Sequence, residues 1–197
     1  GLILHWLKLS PNGVNPNQWK KTKENTSSTI KAIFIGSDYF PNIEAVDFII
    51  NQIADKCPDI EFIIAGNCCK PFSKIKKENV LLLGKVTHQQ KLNIFSNVDI
   101  ALSPIFSGTG INLKTLEFIS AGLPLFSTAF GVRGINLKKH YYIHVNKNDF
   151  SDKLNFYCKD LFSLKNRSVK AQNYVNSNYT WEVIVQKMVT EIETLIT

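Results

Sequence analysis

No apolar run in this sequence approaches the roughly 20 residues that a membrane-spanning helix needs, and no stretch has the pattern of a secretion signal. Cysteine is sparse. Cys57, Cys68, Cys69 and Cys158 supply neither a C-x-x-C pair nor the His spacing of a zinc site, which excludes zinc ribbons and disulfide scaffolds and fits a reduced, cytosolic setting. His5, His88, His140 and His144 have no Ser or Cys in triad-like context beside them, so nucleophilic hydrolysis finds no support. Asp-x-Asp is absent. The nearest approach, Asp59-Ile60-Glu61, forms the polar opening of an apolar strand. Sequons at Asn25, Asn166 and Asn178 are what an Asn- and Ser-rich chain produces by chance. Acidic residues are outnumbered: 23 Lys and Arg against 16 Asp and Glu leave +7. The excess is spread along the chain with short clusters at Lys20-Lys21-Thr22-Lys23 and Lys74-Ile75-Lys76-Lys77. It favours anionic partners without choosing among nucleotide phosphates, nucleic acid and an acidic membrane surface.

The composition itself is globular, with 44% apolar and 20% charged residues. Six short runs, "KAIFIG", "IEFIIAG", "NVLLLG", "DIALSP", "LPLFST" and "YYIHV", have little polar alternation inside them. Strands apolar on both faces belong to a covered parallel sheet. Between them, residues 42–56, 88–97 and 112–121 carry apolar positions at helical spacing, for example Leu113, Leu116 and Ile119. Alternation of strand and helix predicts a doubly wound, Rossmann-like α/β domain of about six strands from residue 30 onward. Helical patterns at 150–163 and 181–196 close it, the last opened by Thr180 as N-cap. Residues 1–29, with "SPNGVNPNQWKKTKENTSST", are rich in turn formers and read as a linker, so something is expected to precede them. Trp6, Trp19 and Trp181 read as packing anchors. Basic and aromatic residues do not interleave on one face, which argues against RNA.

Ligands of parallel α/β sheets bind beyond the carboxyl ends of the strands. Of the loops there, "SGTGINLKTLEF" (107–118) carries the most chemistry. Gly108 and Gly110 allow close approach of a ligand to backbone, and the helix pattern that starts at Asn112 offers N–H groups and a positive dipole end to an anion. Lys114 stands in its first turn. Glu117 follows three residues later, where a carboxylate can accept both hydrogens of a vicinal diol. The same spacing also suits a surface Lys114–Glu117 ion pair with no ligand at all.

These segments, in order, resemble the carboxyl-terminal domain of family 4 retaining glycosyltransferases of the GT-B fold. The resemblance is carried by "SPNGVN", "AIFIGSDYFPNIEAVDFI", "FIIAG", "VLLLGKV", "NVDIALSP", "SGTGINLKTLEFISAGLPLFST" and "FGVRGI" and spans nearly the whole chain. It implies that residues 1–29 are the interdomain linker and the end of a missing amino-terminal domain, and that 30–197 are the donor-binding domain with its carboxyl-terminal helices. It implies that Glu117 is the second glutamate of the family's E-x7-E element, holding the ribose hydroxyls, and Lys114 the cation facing the diphosphate; these are the candidate catalytic residues. The local form follows the branch G-S/T-G-x-x-x-K-x-L-E. Gly36, Ser37, Gly108, Thr109, Gly110 and Arg133 complete the expected donor site, with Lys85 and Val86 of "GKV" at the base.

Two departures stand out. Thr109 occupies the position of the first glutamate, which leaves the donor sugar open and permits an alternative, a catalytically inactive nucleotide-binding or interaction module. The loop 36–42 lacks the basic residues many members carry there. The resemblance implies transfer with retention; a positioned ammonium and helix N–H groups that stabilise the leaving diphosphate, with no Asp-x-Asp motif, lead us to expect no metal or cofactor. The donor is a nucleoside diphosphate sugar, UDP-sugar preferred over GDP-sugar, and the acceptor a glycan or glycoconjugate. The expected partners are the nucleotide sugar and the amino-terminal Rossmann-like domain of the same protein, with no nucleic acid. The expected location is cytoplasmic, with peripheral association at the inner face of the membrane left open.

Overall fold

The computed structural model describes residues 11–19 and 29–196. His5, Trp6, the Lys20–Lys23 cluster, the Asn25 sequon and most of the linker 1–29 lie outside the described residues.

All six apolar runs form strands: β1 (Ile30–Ile35), β2 (Ile60–Ala65), β3 (Val80–Gly84), β4 (Ile100–Ser103), β5 (Leu125–Ser127) and β6 (Ile143–His144). They pair in parallel in the order β3-β2-β1-β4-β5-β6. The chain builds outward from β1 to β3, then returns to lay β4 on the other side of β1. The loops leaving β1 and β4 therefore diverge at one point of the sheet and open a crevice there.

Helices α1 (Phe40–Phe48), α2 (His88–Ser96), α3 (Leu113–Ser120), α4 (Phe150–Tyr157) and α5 (Leu161–Asn178) supply the two layers on the sheet, and α6 (Trp181–Ile196) packs against α5. Side-chain alternation along β1 shows the two layers. Ala32 and Phe34 join a core with α1 and α4, while Ile33 joins a second core with α2, α3 and α5. The helical pattern predicted over 42–56 is α1 continued through a π-type segment Ile49–Ile53 and a 3-10 turn Ala54–Lys56.

The region 150–163 departs from expectation. It is not one helix: α4 ends at Tyr157, and Asp160 starts α5 by accepting from Ser163 N at 3.0 Å. Thr180 caps α6 as expected, its hydroxyl accepting from Val183 N at 3.2 Å. Part of the segment read as linker is packed. Val14 N donates to Tyr179 O at 2.8 Å, and Trp19, on a 3-10 turn Pro16–Trp19, is 5% exposed against Phe95.

Candidate functional site

A cavity of about 350 Å3 occupies the crevice between the β1 and β4 loops. Gly36, Ser37, Thr109, Lys114, Glu117 and Arg133 all line it. Three sequence segments, 36–37, 109–117 and 133, thus meet at one place.

The glycine loop has a rigid reason for its composition. Gly108 has φ +100°, and a Cβ there would stand 2.7 Å from Pro41 Cγ, so both the backbone and its neighbour demand glycine. Gly110, at φ +79°, faces open space instead. Arg133 pins this loop from behind: Nη1 donates to Gly108 O at 3.0 Å and Nη2 to Gly110 O at 2.9 Å. Its guanidinium is therefore committed to backbone carbonyls as well as bordering the cavity. Thr115 Oγ1 donates to Gly131 O at 2.7 Å and fixes the start of α3 against the same 128–134 turn.

Lys114 is held without a carboxylate. Its ammonium donates to Asn42 Oδ1 at 2.5 Å and lies 4.3 Å from the centre of the Phe34 ring, which is fully buried. Asn42 in turn donates to Ser37 O at 3.2 Å and to Ser37 Oγ at 3.3 Å, joining the β1 loop to α3. Burial of the charged end pushes the Lys114 pKa down to about 8, against an opposing pull from Cys68 and Glu117.

Glu117 is differently placed. Lys91, from α2, donates to both of its oxygens at 2.9 and 3.0 Å. The surface Lys114–Glu117 pair that the spacing also allowed is not what forms, since each residue has found another partner. Lys91 also lines the cavity and lies 4.7 Å from the Trp19 ring centre.

Two expected site residues stand elsewhere. Lys85 is exposed and lines a neighbouring recess of about 320 Å3 with Gly66, Cys69 and Lys70. Val86 is half-buried against the second core. The loop after β1 lacks a cation of its own, but Lys70 reaches it from the loop after β2, 2.9 Å from Asp38 Oδ2. Lys91 and Asn42 were not legible as cavity residues, nor Lys70 as a partner of the β1 loop, because each meets its partner only across the fold.

A larger depression, about 610 Å3, lies at the opposite end of the sheet near Asp55, Glu61 and Asn79. Its Lys77 is already neutralised by Asp55 at 2.7 Å. That end also lacks the divergence of loops that makes a switch point, and the carboxyl end is where the chemistry converges. Among the described residues no helix is long and apolar enough to cross a membrane.

Fold and cavity together define a doubly wound α/β domain with a cleft at its switch point lined by Lys91, Lys114, Arg133 and Glu117. The family model for glycosyl transferases group 1 matches residues 29–160, and the chain belongs to that family. Its fold is the carboxyl-terminal half of the GT-B architecture. Among solved structures it is similar to Anabaena Alr3699/HepE in complex with UDP and glucose, with TM-score 0.75 and 12% identity over 95% of this chain and 57% of that one. It is similar also to the carboxyl-terminal domain of a group 1 family protein, LpcC, from Francisella tularensis. There the TM-score is 0.62 and the identity 17%, over 87% of this chain and 95% of that domain. A curated relative, an uncharacterized 44.6 kDa protein in the cps region of Klebsiella pneumoniae, is 21% identical over 162 residues. The chain spans 42% of that relative's length.

Proposed function

We propose that this chain is the donor-binding half of a retaining, metal-independent glycosyltransferase that uses a UDP-sugar and a glycan or glycoconjugate acceptor. The observation that carries the reading is the convergence of Lys114, Glu117 and the Gly108–Gly110 loop on one switch-point cavity. The diphosphate lies against Lys114 and the start of α3, and the ribose against Glu117. Breaking the bond between the anomeric carbon and the diphosphate leaves negative charge growing on the phosphate oxygens. A positioned ammonium and helix N–H groups stabilise that charge most when it is largest, which is how such a site accelerates transfer. Thr109 offers the sugar an uncharged hydroxyl and so adds no carboxylate beside the diphosphate. The UDP found with the Anabaena neighbour supports uracil over guanine. An amino-terminal Rossmann-like domain supplies the acceptor side of the cleft.

Calorimetry or ligand-observed NMR with UDP, GDP and ADP tests the reading on residues 1–197. Weak but measurable binding, strongest for UDP, is expected, because one wall of the cleft is present. No binding of any of the three at millimolar concentration contradicts it.

A further inference from the structure

We propose that Lys91 is a positioning residue for Glu117 and that Trp19 is its seat, which links the ribose end of the cavity to segment 11–19. The proposal rests on the donor-site reading above and deepens it.

Glu117 borders two hollows. One is the switch-point cavity, and the other is a recess of about 280 Å3 lined by Gly13, Val14, Trp19 and Trp181. A glutamate with two open sides needs something to choose between them. Lys91 makes that choice by bonding both carboxylate oxygens, with side-chain exposures of 19% for Lys91 and 25% for Glu117. A carboxylate has about four acceptor positions, and Lys91 uses two. The remaining pair matches the two hydroxyls of a vicinal diol.

Lys91 is itself fixed from two sides. Its backbone belongs to the first turn of α2, set by a reciprocal cap in which Gln90 N donates to Thr87 Oγ1 at 3.2 Å and Thr87 N donates to Gln90 Oε1 at 2.7 Å. Its ammonium rests 4.7 Å from the Trp19 ring centre, a cation–π geometry. Without the ammonium, the carboxylate would lose the bonds at both oxygens that fix its orientation. Trp19 is buried against His88 and Phe95, and segment 11–19 is tied down again where Val14 meets Tyr179 and Thr180. Movement of that segment therefore reaches Glu117 through one indole and one ammonium.

The test uses residues 1–197 with UDP and its 2′,3′-dideoxy analogue. Lys91→Met is expected to weaken UDP about five- to tenfold, the worth of one partly exposed charge-assisted bond, and to leave the dideoxy analogue unchanged. Lys91→Arg is expected to restore UDP binding, because a guanidinium bonds a carboxylate in a fork and stacks on an indole. In the ligand-free protein, Glu117→Gln is expected to move the Trp19 indole N–H resonance, and to do so no longer when Lys91→Met is also present. Equal loss for both nucleotides, failure of Lys91→Arg to rescue, or an undiminished Trp19 response in the double variant overturns the proposal. Should the unsubstituted protein bind no nucleotide, the donor-site reading falls and this proposal with it. A Lys91→Met variant that binds UDP normally overturns the positioning role alone.

Discussion

The two lysines of the switch-point cavity are held in opposite ways. Lys91 faces a carboxylate through two bonds. Lys114 bonds a neutral amide oxygen and rests on the face of Phe34, and burial brings its pKa down to about 8. One end of the cavity is electrostatically complete and the other is not. The contrast has a physical consequence: a partnered charge organises its partner, whereas a desolvated charge that bonds no carboxylate is stabilised if an anion arrives.

The largest expected effect comes from disturbing the Lys114 end alone. Gly108→Ala forces an L side chain into a left-handed backbone and against Pro41, next to the Asn42 that holds Lys114. It is expected to destabilise the fold by about 2–4 kcal/mol in urea unfolding and to weaken UDP far more than uridine. A loss shared equally by both ligands would erase the distinction between the two ends.

A smaller effect separates the two ends by pH. In the proposed donor site the charged form of Lys114 is the one that holds the diphosphate, and burial sets its pKa at about 8. UDP affinity should therefore be flat below pH 8. Above it, binding requires uptake of a proton, and affinity should fall by up to about tenfold per unit, or about 1.4 kcal/mol. Uridine affinity should stay level over the same range, and Lys114→Arg should flatten the UDP profile because a guanidinium does not titrate there. Titration calorimetry across pH 7 to 8.8, below the range in which the uracil N3–H itself ionises, reads both.

Much of this architecture was legible in the chain itself. The strands are short apolar runs bounded by turn residues, and burial on both faces made them so. The glycine loop, Lys114 and Glu117 fall within ten residues, and local spacing was enough to place them together. Helix α5 was hidden because its buried face, Leu164, Ser168, Ala171 and Val175, has helical spacing but only two large apolar side chains. The break at Cys158–Asp160 was hidden because the capping Asp160 lies inside what looked like a continuous pattern. Lys91 and Asn42 lie 26 and 72 residues from their partners Glu117 and Lys114. No periodicity reports such contacts, and only the return of β4 to the side of β1 creates them. Lys85 shows the converse: a motif can be present and its side chain still open onto a different recess.

The most direct test of the central claim sets Lys114→Ala and Glu117→Ala against UDP, uridine and the 2′,3′-dideoxy nucleotide. Lys114→Ala should weaken UDP more than uridine, by about 1.5–3 kcal/mol for a charge-assisted bond, and added salt should shrink that difference. Glu117→Ala should weaken UDP and uridine alike and leave the dideoxy nucleotide unaffected. Affinities unchanged by either substitution, across all three ligands, would contradict the assignment of diphosphate to Lys114 and ribose to Glu117.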